Sequence, residues 1–140
     1  MISRYVCFLG CSVITWSSKK QHIIALSSTE SEYIMQIHAA KEAIWIRSFI
    51  LEIQQDQSRP IDLLCDNQGA IALAKFHVRT KHINLRHHFI REAVEEEKIK
   101  VTYIPTEENM VDIFMKALAR LKYEGFIKKL GLRDERGRRK

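Results

Sequence analysis

The run Ile61-Asp-Leu-Leu-Cys65-Asp66-Asn67-Gln-Gly-Ala-Ile-Ala-Leu-Ala74 constrains this chain more than any other stretch. A short apolar run, a carboxylate at its end and then helical periodicity predict a strand in a sheet covered by helices. Ligands of open α/β sheets gather just beyond the carboxyl ends of the strands. Asp66 falls at that edge. Side-chain alternation sets Asp62 and Leu64 on its side of the strand, with Ile61, Leu63 and Cys65 on the other. A strand-end Asp is a candidate metal ligand, and its value depends on which partners the rest of the chain brings to it.

The segment before it reads as a hairpin and a long helix. Tyr5-Val-Cys-Phe-Leu9 and Ser12-Val-Ile-Thr-Trp16 are β-prone runs separated by Gly10. Ser17-Ser-Lys-Lys-Gln21 reads as a polar, basic connection. Two overlapping capping boxes, Ser27 with Glu30 and Thr29 with Glu32, announce a helix that should run to about Glu52. Its apolar stripe is Tyr33, Ile37, Ala40 and Ile44, flanked by Met35, Ala39, Ala43 and Ile46. Glu32 heads that second row, so its carboxylate points along a face that is otherwise apolar.

Beyond residue 74 a short helix ends near Lys75, and a second helix is predicted over residues 81–98. Its acidic end, Glu95-Glu-Glu97, is unfavourable beside helix carbonyls. Residues 99–104 alternate as a strand with one wet face, stopped by Pro105. A further helix is predicted over residues 106–116, with Asn109 as cap and Asp112 in its first turn. A partly helical segment follows over 118–132. The order β-β-α-β-α-α-β-α predicts an α/β fold with a mixed sheet.

The totals bound the class. One hundred and forty residues suit one domain, and 46% apolar content is globular. No apolar run approaches the roughly 20 residues that span a bilayer, so no membrane partner is expected. The opening Met-Ile-Ser-Arg-Tyr-Val lacks signal-peptide character, which predicts a cytoplasmic or nuclear protein. Cys7, Cys11 and Cys65 are too few and too scattered for a disulfide framework, and free thiols are expected. The net charge of +6 fits a polyanionic partner and a merely solvated basic surface almost equally well. Part of it is local: the tail 133–140 carries five basic and two acidic residues.

Three carboxylates therefore stand at element ends: Glu32, Asp66 and Asp112. Magnesium takes hard oxygen ligands and leaves room for water and phosphate. Two such ions about 4 Å apart can activate water and stabilise the leaving oxygen of a phosphodiester. Each residue also has a plainer explanation. Glu32 could be half of a capping box, Asp66 the cap of the following helix, and Asp112 a favourable charge at a helix start. Histidines offer less, because His82 and His87 are five residues apart and so differ by about 140° around a helix. Lys81, Arg86 and Arg91 read as a solvated helix face, and Trp16 and Trp45 as core anchors.

Six blocks then carry a resemblance: Ile14-Thr-Trp-Ser-Ser-Lys-Lys-Gln21, Ala25-Leu-Ser-Ser-Thr-Glu-Ser-Glu-Tyr33, Ala39-Ala-Lys-Glu-Ala-Ile-Trp45, Leu64-Cys-Asp-Asn-Gln68, Arg79-Thr-Lys-His-Ile83 and Tyr103-Ile-Pro-Thr-Glu-Glu108. In this order they resemble the ribonuclease H domain of copia-type retrotransposon Pol polyproteins, over roughly residues 3–132. The resemblance implies a ribonuclease H-like mixed sheet flanked by helices. It also implies Mg²⁺-dependent cleavage, with Mn²⁺ as a substitute, of the RNA strand of RNA–DNA hybrids. The reverse transcriptase domain of the same polyprotein would be a partner. Matching motif to motif puts the acidic metal ligands at Glu32, Asp66 and Asp112. Glu32 is preferred to Glu30 because it precedes the Tyr33-Ile-Met35 run. Lys19, Lys20, Asn67, Lys81 and Lys116 are the expected nucleic-acid contacts.

Departures from the family pattern temper the expected activity. Family members carry a further Asp on an upstream strand, which nothing here matches, so the first, central strand and one metal ligand are expected to be missing. Phe114-Met115 stands where a Leu-Thr pair is usual. The expectation is a truncated ribonuclease H-like domain at residues 1–132 with a disordered basic tail at 133–140, inactive or impaired as a nuclease. The alternatives are a co-opted, non-catalytic nucleic-acid-binding domain and a non-functional remnant.

Overall fold

In the computed structural model, residues 2–22, 27–53, 59–75, 84–114 and 117–132 are described. The side chains of Ser3, of residues 84–87, of Asp112 and of Phe114 lie outside that description, as do Lys81, Lys116 and the tail 133–140. The mixed α/β class is as expected.

Ile2–Leu9 (β1) and Ser12–Lys20 (β2) form an antiparallel hairpin. Its loop is two residues long, and Gly10 takes φ 61, a positive value that such loops demand of their first central residue. β2 runs through Lys20, so the expected polar connection at 17–21 is mostly strand. Ladder hydrogen bonds come from the backbone, and polar side chains do not prevent them at an edge. Register shifts between Cys7 and Phe8, opposite Thr15 and Val13, which leaves Ile14 as the extra residue of a bulge.

Ser28–Ile53 (α1) follows as one long helix. Ser27 caps it: its Oγ accepts the Glu30 N–H at 3.1 Å. Thr29 already lies inside the helix, so the second expected capping box does not form. The expected stripe is buried at Tyr33, Ile37, Ala39, Ala40 and Ala43, joined by Ile34 and the polar Gln36.

Ile61–Cys65 (β3) leads into Gln68–Lys75 (α2), then Asn84–Glu95 (α3), then Ile99–Tyr103 (β4). β3 and β4 pair in parallel from Ile61 opposite Ile99 to Cys65 opposite Tyr103, a pairing that requires the helical crossover between them. α3 is shorter than the expected 81–98 at its C-terminal end, because a Schellman motif closes it. Glu97 adopts φ 55, its N–H bonds the Val94 carbonyl at 3.1 Å, and the Lys98 N–H bonds the Ala93 carbonyl at 2.9 Å. Glu96 pairs with Lys98, which compensates part of the acidic end.

The helix expected over 106–116 is instead two 3₁₀ turns, Thr106–Glu108 and Met110–Phe114. Asn109 between them is extended, at φ −71 and ψ 107. Its Oδ1 accepts the Val111 N–H at 3.2 Å, so Asn109 caps as expected, but what it caps is the second 3₁₀ turn and not an α-helix. Arg120–Lys129 (α4) closes the described chain.

The four strands form two separate two-stranded sheets, antiparallel β1–β2 and parallel β3–β4. Among the described residues, no strand bridges β1 to β3, so no ladder joins them. α1 packs against both. Adjacent residues on it touch one sheet each: Met35 Sδ accepts the Arg4 N–H at 3.2 Å, and the Gln36 amide reaches Cys65 on β3.

The core lies on the β3–β4 side. Tyr33, Ile37, Ala40, Ala70, Ile71, Ala74, Ile90, Ala93, Ile99 and Val101 bury together between one face of that sheet and α1, α2 and α3. Alanines at the helix crossings let the backbones approach closely, while Tyr33, Ile90 and Ile99 fill the volume. Only one face of β3 is covered, since Leu64 is 52% exposed. The expected tryptophan anchors are also on the surface, both 64% exposed. Trp16 takes the outward parity of β2, and Trp45 stacks on Phe49 one turn along α1, with centroids 5.9 Å apart.

Candidate metal and nucleic-acid site

Two element ends converge beside Asp66. The first is the head of α1. Ser31 and Gln21 tie it to the end of β2, for Gln21 Nε2 donates to the Ser31 carbonyl at 3.1 Å and Ser31 Oγ donates to Gln21 Oε1 at 3.3 Å. With the helix start satisfied by Ser27, Glu32 is not needed as a cap, and its half-buried carboxylate lies within electrostatic reach of Asp66.

The second is the turn from β3 into α2. Here Asn67, not Asp66, caps the helix: its Oδ1 accepts the Ala70 N–H at 3.0 Å. The plainer explanation of Asp66 as a cap therefore fails, and its half-buried carboxylate is left for other work. Gly69 lets the two helix heads approach, because a Cβ there would lie 2.9 Å from Thr29 Cγ2.

Glu32 and Asp66 consequently face each other electrostatically. Burial pushes the Glu32 carboxyl above its ordinary range, and the Asp66 charge pushes it further the same way. Cys65 between them is also raised, first by burial, with Glu32 and Asp66 adding smaller contributions. Two neighbouring carboxylates suit a hard divalent cation, whose charge would relieve the penalty on Glu32. Magnesium is bound through one or two protein carboxylates, the rest of its shell coming from water and phosphate. Glu32 and Asp66 are two candidate ligands of that kind. Among the described residues, no group of three or more His, Cys, Asp or Glu side chains is arranged to hold one.

Asp112 lies in the second 3₁₀ turn, which packs against β1, but its side chain is outside the described residues. Lys19 and Lys20 are exposed at the end of β2. The Asn67 amide oxygen is engaged in capping, leaving its nitrogen as the group that could meet a nucleic acid. Lys81 and Lys116 fall outside the described residues. Gln36 is the residue that the apolar-stripe argument missed. It is 3% exposed, one turn beyond Glu32, and bonded to Cys65. A glutamine in a row of buried positions, four residues after a candidate ligand, was the signal available.

The chain is 42% identical over 123 residues to the retrovirus-related Pol polyprotein from transposon TNT 1-94 of Nicotiana tabacum, an alignment covering 86% of this chain. It is 38% and 37% identical, over 131 residues and 91% of the chain, to those from transposons RE2 and RE1 of Arabidopsis thaliana. Its homologues are retrovirus-related Pol polyproteins of copia-type transposons. The aligned part is 9% of the length of each of these polyproteins, so the chain spans only a small part of the relatives it matches. No model of a known protein family matches the chain, and no solved structure matches it significantly. No helix among the described residues is long and apolar enough to cross a membrane.

Proposed function

We propose that this Pol segment is a ribonuclease H-like domain whose chemistry is hydrolysis of the RNA strand of RNA–DNA hybrids, and that this copy is impaired. The observation that carries the reading is the apposition of Glu32 and Asp66, each released from capping by a neighbour, with burial and the Asp66 charge both opposing ionisation of Glu32. Bound Mg²⁺ or Mn²⁺ would supply Lewis-acid activation of water and neutralise phosphodiester charge. Glu32 and Asp66 would hold the ion, with Asp112 the third proposed ligand. Lys19 and Lys20 would attract the hybrid backbone through long-range charge, an attraction that salt screens. Lys81, Lys116 and the Asn67 amide would complete the nucleic-acid contacts, and the reverse transcriptase part of the same polyprotein is the proposed partner.

The further Asp of the family pattern has no match in this sequence, which leaves the proposed ligand set one carboxylate short. The cation should bind weakly, and cleavage should be slow or absent. The test is cleavage of a labelled RNA–DNA hybrid by the 140-residue chain in Mg²⁺ and in Mn²⁺, with Asp66→Asn made alongside. Cleavage indistinguishable between the two proteins, with Mn²⁺ binding lost in the variant, is the expected result. Robust cleavage that vanishes in Asp66→Asn would overturn the impaired reading. Equal Mn²⁺ binding by both proteins would overturn the carboxylate site itself. Salt-dependent hybrid binding that ignores Asp66→Asn and metal alike would favour a non-catalytic binding domain, for which the exposed Lys19 and Lys20 already speak.

A further inference from the structure

We propose that Gln36 and the Cys65 thiol form a latch that positions Asp66 opposite Glu32. Cys65 is the last residue of β3 and Asp66 the first beyond it. The thiol closes this corner on itself: Sγ donates to the Asn67 carbonyl at 3.6 Å and accepts the Asn67 N–H at 3.4 Å. Asp66 is the residue enclosed by that small loop, so fixing the sulfur fixes the backbone that aims its carboxylate. Gln36 Nε2 grips the same sulfur at 2.9 Å from α1. Glu32 stands four residues earlier on α1, and residues four apart share one helix face. The latch therefore joins the two backbones that present the two carboxylates, one helical turn beyond Glu32 and one residue before Asp66.

The cost of this arrangement marks it as more than packing. Gln36 is 97% buried, and its Oε1 has no hydrogen-bond partner among the described residues. Burying an amide oxygen without a partner opposes folding, and an apolar side chain of similar shape would avoid that cost. A glutamine kept in the core is explained by what its other end does. Gln36 acts through Cys65 on Asp66, and it is a positioning residue, not a ligand.

The metal consequence rests on the carboxylate-pair reading above, whereas the geometric consequence does not, so the two are measured separately in the full chain. Amide hydrogen exchange reports the corner without metal. Gln36→Leu and Cys65→Ala should each speed exchange at Asn67, leave Ile37 and Ala40 in mid-helix unchanged, and give no further increase when combined. Cys65→Ser, whose hydroxyl can donate and accept, should stay close to the parent chain. Unchanged exchange at Asn67 in Gln36→Leu would overturn the latch, whatever the metal does.

Mn²⁺ titration followed by electron paramagnetic resonance supplies the second readout. Gln36→Leu should weaken Mn²⁺ binding roughly tenfold, the lower end of what residues supporting metal ligands contribute. Its melting temperature should hold or rise. A merely structural glutamine would move stability and affinity down together. Parent-like Mn²⁺ affinity in Gln36→Leu, with affinity lost in Asp66→Asn, would overturn the positioning role and leave the metal site standing. Equal Mn²⁺ binding by the parent and Asp66→Asn would instead sink the metal site, with the exchange result still deciding the latch.

Discussion

At the scale of single residues, Glu32 is where folding and the proposed function oppose each other. Its carboxyl is raised above the ordinary value of 4.5, by burial first and by Asp66 second. A carboxyl that holds its proton more tightly folded than unfolded favours the folded state at low pH. That contribution fades as pH climbs from the unfolded value through the folded one. At neutral pH, then, the ionised Glu32 is a liability in the metal-free chain. Glu32→Gln is expected to melt at a higher temperature than the parent at about pH 7 in the presence of a chelator. The advantage should shrink as pH falls into the ordinary carboxylate range. Thermal melts of the two proteins across that range check it, and a Glu32→Gln protein that is less stable at neutral pH would show that Glu32 makes a favourable contact instead.

At the scale of elements, two helix ends solve one problem with different residues. α3 ends with Glu97 in the left-handed region, and α4 ends with Gly131 there, at φ 69. The bonding is the same in both, for the Leu132 N–H reaches the Ile127 carbonyl at 3.3 Å and the Gly131 N–H reaches Lys128 at 3.1 Å. A side chain in that conformation costs about 1–2 kcal/mol. Glu97→Gly should therefore stabilise the chain by about 0.5–1 kcal/mol, part of it from removing a negative charge beside helix carbonyls. Gly131→Ala should cost about 2 kcal/mol or more, since its Cβ would also run into the Cys11 carbonyl oxygen at the hairpin turn. Urea unfolding of both variants measures the pair. Effects of the same sign would refute the shared motif.

At the scale of the whole molecule, the two sheets are unequal. The β3–β4 side holds the buried cluster, while no described side chain of β1 or β2 is fully buried. Contact with α1, the Arg4–Met35 bond and the Gln21–Ser31 tie are among the few links that hold the hairpin to the rest. Local opening free energy follows buried apolar contact. The hairpin amides of β1 should exchange faster than those of β4. Ile90→Ala, which empties a fully buried position, should cost about 2–5 kcal/mol and speed exchange in α1 and β4. Hairpin amides as slow as those of β4 would mean that the two halves unfold as one.

The sequence by itself determined the elements whose signals are local. Ser27 as the cap of α1, the alternation of β3 and β4, and Asp66 at a strand end all rest on side-chain chemistry within a few residues. Glu32 was legible too, as an acid at the head of a buried row. Only the tertiary structure decided the rest, because it depends on distant partners. Asn67 takes the cap that was equally open to Asp66, and Gln36 is buried because Cys65 waits for it across the helix–strand interface. Trp16 and Trp45 look like anchors in composition, yet no described element covers them. The separation into two sheets is likewise invisible to periodicity: a strand's pattern records which face is covered, not whether both of its edges find a neighbour.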